Sequence, residues 1–108
     1  MTINSRQKGH SFEREVASEL RKIFPEARRG LQYQDGPTPP DVTGTPFHVE
    51  CKRGRRPNPR AALKQAINDA APGVVPVAVI RDDRAEAFIC MRWSDWMDFV
   101  REWRERAL

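Results

Sequence analysis

Residues 47–52 alternate apolar and polar side chains, which is the pattern of a β-strand with two different faces. Successive side chains of a strand point to opposite faces, so one face carries the apolar residues Phe47, Val49 and Cys51. The other face carries the polar residues His48, Glu50 and Lys52. We expect the apolar face to be buried and the polar face to line a cleft. Glu50 and Lys52 then lie roughly 7 Å apart along the strand.

Asp41 precedes this strand, and residues 43–46 contain the glycine and proline of a tight turn. The turn predicts a hairpin that brings Asp41 back toward Glu50. Two carboxylates beside the ammonium of Lys52 form an oxygen-lined site for a hard divalent cation, with Mg²⁺ or Mn²⁺ preferred over zinc. A rival zinc site would combine His48, Cys51 and Cys90. Strand alternation argues against it, because it sends the histidine and the first cysteine to opposite faces.

The rest of the chain alternates between helical and strand patterns separated by proline and glycine signals. Three helices are predicted, from a Ser5 cap to Phe24, from residue 58 or 59 to 71, and from a Ser94 cap onward. Strands are predicted at residues 27–33, 41–44, 47–53, 74–81 and 86–91. The predicted order is therefore αβββαββα, in one domain that spans residues 1–108.

The first helix places an acid, Glu13, inside its apolar stripe. The stripe consists of Phe12, Val16, Leu20, Ile23 and Phe24. A carboxylate on the buried side of a helix needs a cation beside it, because an unpaired buried charge is costly. A metal-site role and an ordinary salt bridge to one of the arginines both stay open for Glu13.

The net charge of +4 favours an anionic partner. Between Lys52 and Arg60 the chain is strongly basic and contains no acid, and Arg28 with Arg29 forms a second basic pair. Such a run is either a solvated loop or a phosphate-binding surface. Because it directly follows the strand that carries Glu50, we favour contact with the phosphates of a nucleic acid.

The last helix carries aromatic residues toward one side, including Trp96, Phe99 and Trp103. Packing in the core is the favoured interpretation of this stripe and of Trp93, with stacking on bases or on a partner chain as alternatives. No apolar run reaches the length of a membrane span, and the N-terminus has no signal-peptide core. We therefore expect a cytoplasmic protein whose two cysteines are buried thiols rather than a disulfide bridge.

Four short motifs occur in a characteristic order along the chain. They are the helix with Glu13, the pair Pro40-Asp41, the strand Glu50-Cys51-Lys52, and the helix with Gln65. This arrangement resembles the PD-(D/E)XK nuclease superfamily over nearly the full chain. The opening residues 8–15, followed by a basic strand at Arg28 or Arg29, resemble the archaeal-type Holliday junction resolvases and their phage relatives more narrowly. The resemblance implies a restriction-endonuclease-like α/β fold, with a central mixed sheet of about five strands flanked by helices.

The resemblance also implies a role for each matched residue. Asp41 and Glu50 would be the principal Mg²⁺ ligands, helped by the backbone carbonyl of Cys51, and Glu13 would complete the site directly or through water. Mn²⁺ would substitute for Mg²⁺. Lys52 would orient or activate the attacking water. The residues expected at DNA are Lys8, Arg14, Arg28, Arg29, Arg53, Arg55, Arg56 and Arg60. Gln65 matches an accessory glutamine of the superfamily.

These residues predict a metal-dependent DNA endonuclease that hydrolyses phosphodiester bonds, with Holliday junction resolution in DNA recombination as its specific activity. Resolving a junction needs two paired nicks, so we expect a homodimer that uses apolar surface from the C-terminal helix or a sheet edge. The alternatives are a related nuclease acting on flaps, ends or duplex DNA, and a catalytically inactive DNA-binding protein. Cleavage of RNA also stays open.

Overall fold

The computed structural model describes residues 5–32 and 34–108, and for Ser5 it describes the backbone alone. The predicted capping by the Ser5 side chain and the predicted strand end at Tyr33 therefore lie outside what is described. The helices and strands are α1 (Ser5–Arg21), β1 (Arg28–Arg29), β2 (Val42–Thr43), β3 (Phe47–Gly54), α2 (Pro59–Asp69), β4 (Val75–Asp82), β5 (Phe88–Met91) and α3 (Trp93–Ala107). The predicted order αβββαββα is confirmed.

The five strands form one mixed sheet in the order β1-β2-β3-β4-β5. Neighbouring strands are antiparallel except for the central pair, β3 and β4, which run parallel. A parallel pair needs a crossover connection, and α2 supplies it. This helix begins where the sequence predicts, because the Asn58 side chain accepts a hydrogen bond from the Ala61 amide and Pro59 occupies the first helical position.

The sheet separates two apolar clusters. On one face, α1 packs against the sheet through a cluster built around Phe12, Val49 and Val77. On the other face, α2 packs through Ala62 against Ile80 and neighbouring residues. Because both faces are covered, β4 is buried on both sides along most of its length, as its apolar sequence predicts.

The polar face of β3 differs from the prediction. Only Lys52 of the three polar residues is exposed, whereas His48 and Glu50 are 4% and 3% exposed. The polar face of β3 is therefore more enclosed than expected, although His48 still lines a cavity of about 320 Å³. The cause is α2, which lies over this face of the sheet and covers His48 and Glu50.

The last helix also differs from the prediction. It begins at Trp93, with Arg92 rather than Ser94 at its N-cap, and it contains no buried residue. Trp93 and Trp103 are 72% and 68% exposed, so the core interpretation of the aromatic stripe is wrong. Ile23, predicted within the first stripe, is also 72% exposed, because α1 ends at Arg21 and the chain turns away before Pro25.

Cys51 and Cys90 are free thiols on opposite faces of the sheet. Cys51 is buried in the cluster beneath α1, and Cys90 is partly buried against the cluster beneath α2. In the part of the chain that the structure describes, none of the helices combines the length and the apolar character that crossing a membrane requires.

Candidate active site

The backbone of Asp41, the residue just before β2, is fixed from two sides. Its amide donates a hydrogen bond to the Val49 carbonyl at 2.7 Å, and its carbonyl accepts one from the Gly30 amide at 2.9 Å. Gly30 lies so close to Pro40 that a Cβ atom at residue 30 would overlap the Pro40 carbonyl oxygen. Glycine is therefore required there to let the two segments meet. Sequence reasoning missed this position, because a glycine beside a loop gave no sign of what it would contact.

The carboxylates of Asp41 and Glu50 meet beside β3. One oxygen of Asp41 accepts a hydrogen bond from the Cys51 amide at 2.7 Å, and the Asp41 and Glu50 carboxyl groups lie close enough to influence each other's pKa. The N–H and C=O of one strand residue point toward the same neighbouring strand. The Cys51 carbonyl is therefore directed to the edge of β3 where Asp41 lies. The structure thus brings together the two acids and the carbonyl that the sequence proposed as principal ligands.

Burial changes the protonation of this pair. Burial, with the nearby charge of Asp41, raises the pKa of Glu50 to about 8, although Lys52 opposes the rise. Burial also raises the pKa of Asp41, and the hydrogen bond from the Cys51 amide opposes that rise. At neutral pH Glu50 therefore keeps its proton in the metal-free protein, and a cation between the two acids would favour the ionised form of both.

The Cys51 thiol takes no part in this pair. Burial raises its pKa well above the ordinary value for a thiol, so the sulfur stays protonated. The thiol also points to the α1 side of the sheet, where it belongs to the apolar cluster. Since His48 is buried on the α2 side, the structure agrees with the expectation that the two residues cannot hold one zinc ion.

Lys52 is the exposed member of the site. It lies on the same face of β3 as Glu50, two residues farther along the strand, and its charge stabilises the ionised forms of Asp41 and Glu50. Among the residues that the structure describes, no carboxylate lies within 4.0 Å of its ammonium group. The ammonium is therefore available to a molecule that approaches from solvent.

Glu13 lies close enough to Asp41 for its charge to raise the pKa of that acid, but its carboxylate is bound by Arg29. The distance from Arg29 Nε to the Glu13 oxygen is 2.7 Å, and both side chains are largely buried. The structure thus contains the ordinary salt bridge that the sequence left open. A role for Glu13 at the metal, directly or through water, stays a prediction.

A second polar group adjoins Glu50 beneath α2. One ligand atom each from His48, Glu50 and Asp69 lies within 4.8 Å of the others. Burial lowers the pKa of His48, so its imidazole is neutral, and its Nε2 lies 3.4 Å from a Glu50 oxygen. Sequence reasoning missed Asp69. A signal was available, because an acid at the last residue of a helix faces the negative end of the helix dipole and requires another reason to be there.

The basic residues predicted to contact DNA fall into two groups. Three are engaged with acids: Lys8 with Asp83 at 3.2 Å, Arg28 with Asp35 at 2.7 Å, and Arg29 with Glu13. The others form no ion pair within the described residues, and they are Arg14, Arg53, Arg55, Arg56 and Arg60.

Arg53 and Gln65 differ in what surrounds them. Arg53 Nε is buried, yet it has no hydrogen-bond acceptor among the described residues. Gln65, predicted as an accessory residue, is exposed on α2, and the structure gives its side chain no hydrogen bond to any described residue. No residue of the candidate site therefore depends on Gln65 for its position.

No protein-family model matches this chain, and comparisons with curated proteins and with solved structures likewise give no match.

Proposed function

We propose that this chain is a metal-dependent endonuclease that hydrolyses phosphodiester bonds in DNA. The observation that carries the proposal is that Asp41 and Glu50 lie close enough to influence each other's pKa, with the exposed Lys52 on the same face of the strand as Glu50. Two acids and an amine in this arrangement are the groups that metal-assisted hydrolysis of a phosphodiester requires.

The donor set fits a hard divalent cation. The Asp41 and Glu50 carboxylates and the Cys51 carbonyl would hold Mg²⁺ or Mn²⁺, because all three supply oxygen atoms. The raised pKa values of both acids are a second argument, since a positive charge between them would favour the ionised form of both. A bound cation would neutralise charge on the phosphate and lower the pKa of a water molecule. Glu13 would act from its ion pair with Arg29, or through water.

The chain's own residues would handle the phosphate and the water. Lys52 carries a free ammonium beside the two acids, so it can hold a phosphate oxygen or orient the attacking water. Arg53 has a buried Nε donor without an acceptor among the described residues, and a phosphate oxygen would supply one. The exposed Arg55 and Arg56 follow on the next loop, Arg60 lies in the first turn of α2, and all three would bind neighbouring phosphates.

These contacts would recognise the backbone and shape of DNA rather than its base sequence. A four-way junction is the substrate we propose, on the resemblance of the sequence to junction resolvases. Flaps, ends and plain duplex are the competing substrates within the same chemistry.

The test is incubation of the protein with a labelled four-way junction, beside a duplex and a flap of matched sequence, with Mg²⁺ or with EDTA. We expect cleavage in Mg²⁺ that favours the junction and stops in EDTA. Asp41→Asn should abolish cleavage and leave DNA binding intact. Asp98→Asn is the matched control, because Asp98 is an exposed acid on α3 whose one ion pair among the described residues is with Arg101. Failure to cut any of the three substrates, or full activity of Asp41→Asn, would contradict the proposal.

A further inference from the structure

Helix α3 exposes a broad aromatic surface. Its large exposed side chains are Trp93 (72%), Trp96 (46%), Phe99 (39%) and Trp103 (68%). The rings of Trp93 and Trp96 stack on each other, with their centroids 5.3 Å apart. Within the described chain, a single ring contact connects the helix to another element, between Phe99 and Phe47 with centroids 5.7 Å apart. A helix with so much exposed apolar area and no buried residue is typical of an interaction surface.

An apolar groove lies open on the same molecule, between α1 and the strands β4 and β5. Its volume is about 960 Å³, and its walls include Val16, Leu20, Val79, Phe88 and Ile89. Phe88 and Ile89 are 49% and 59% exposed. The chain therefore carries two apolar surfaces, one convex and one concave, that no other described part of the chain covers.

The connection between β5 and α3 keeps the helix out of its own groove. Strand β5 runs toward the start of β4, since Phe88 pairs with Ile80 and Met91 with Val77. Only Arg92 then separates Met91 from the first residue of α3, whereas a chain reversal between a strand and a helix ordinarily takes about two to six residues. The helix therefore leaves the sheet past Phe47, at the end of the groove.

The charges around the two surfaces are complementary. At about 100° per residue, Arg104 and Arg106 border the aromatic stripe of α3 on its two sides. Three acids of the same helix, Asp98, Glu102 and Glu105, lie on the opposite side, whereas Asp95 lies near Arg106 and is paired with Arg92. The groove is bordered by acids, namely Glu15, Glu19 and Glu86, although Arg81 also lines it and pairs with Glu15. An occupant with arginines beside an apolar stripe fits this rim.

We propose that two copies of this chain form a two-fold dimer by reciprocal docking, in which α3 of each copy fills the groove of the other. Covering the three tryptophans alone would bury on the order of 400 Å² per helix. With the matching groove area and both copies counted, the dimer would bury roughly 1,600 Å², which is a standard size for a stable interface. The inference does not depend on the proposed hydrolysis, because no residue of the candidate active site takes part in it.

The first test measures the mass of the full chain in solution by analytical ultracentrifugation across a concentration series. We expect a dimer. Trp103→Glu on the helix and Ile89→Glu in the groove should each raise the dimer dissociation constant by roughly 30-fold or more. Leu108→Glu is the matched control, since it alters an exposed apolar residue after the end of the helix and should leave the constant unchanged. Circular dichroism would verify that each variant is folded.

The second test mixes the two variants. Trp103→Glu retains an intact groove, and Ile89→Glu retains an intact helix, so reciprocal docking predicts a heterodimer with one of the two contacts restored. It should be more stable than either homodimer of the variants. A monomeric wild-type chain, a dimer that neither variant weakens, or a mixture that restores nothing would each overturn the proposal.

Discussion

Replacement of Glu50 by glutamine should change how the stability of the metal-free protein depends on pH. The pKa of Glu50 is raised from 4.5 to about 8, so the folded state holds a proton that the unfolded chain releases over this interval. The free energy of unfolding therefore falls as pH rises from about 4.5 to 8. The pKa rise corresponds to on the order of 4 kcal/mol, a large share of the stability of a small domain.

Glutamine removes this dependence, because its amide does not titrate in this range and is neutral like the protonated acid. We expect wild type and Glu50→Gln to be similarly stable at pH 5. At pH 8.5 in EDTA the variant should be the more stable, with a melting temperature higher by on the order of 15 °C. His48 contributes little slope above about pH 7.5, because burial lowers its pKa and the imidazole is then neutral in both the folded and the unfolded state.

The assay is thermal and urea unfolding, followed by circular dichroism between pH 5 and 8.5, first in EDTA and then in Mg²⁺. A cation bound by both acids should restore wild-type stability at high pH, and it should do little for Glu50→Gln. Glu105→Gln is the matched control, because Glu105 is exposed on α3. Parallel stability curves for wild type and Glu50→Gln would refute the reasoning that burial and Asp41 hold a proton on Glu50.

Three further predictions follow from other parts of the structure. Lys52→Met should lower the cleavage rate by roughly 100-fold or more while Mg²⁺ still stabilises the fold, and an unchanged rate would remove the amine from the chemistry. The double variant Arg55→Ala/Arg56→Ala should reduce the slope of log K for DNA binding against log salt concentration by roughly one unit per residue. An unaltered slope would show that this loop does not contact phosphates. Gly30→Ala should lower the free energy of unfolding by at least about 2 kcal/mol and weaken metal binding, because the added methyl group displaces Pro40 and Asp41. A free energy of unfolding in urea equal to that of the wild type would contradict this.

The sequence predicted the element order and the central pair of the site for physical reasons. Alternation in β3 decides which side chains share a face, and the turn before it brings Asp41 opposite Glu50. Both are local properties of the chain. The same alternation did not reveal that α2 covers His48 and Glu50, because the covering element is distant in sequence.

Tertiary contacts account for the other differences. The periodicity of α1 predicted that Glu13 faces the sheet, but it did not indicate whether a metal ion or an arginine is the partner of its carboxylate. The periodicity of α3 likewise defined an aromatic stripe without showing what covers it, and the direct exit from β5 leaves Trp93 and Trp103 exposed. Asp69 lies near Glu50 because it is the last residue of α2, and the strand and turn patterns that predicted Asp41 and Glu50 do not extend to that helix.

The most direct test of the central claim is a crystal structure of the protein grown with Mn²⁺, read by its anomalous scattering. The account predicts one strong peak within roughly 2.3 Å of oxygens from Asp41, Glu50 and the Cys51 carbonyl. A peak that is coordinated by His48 and Asp69 but not by Asp41, or the absence of a peak at saturating Mn²⁺, would contradict it.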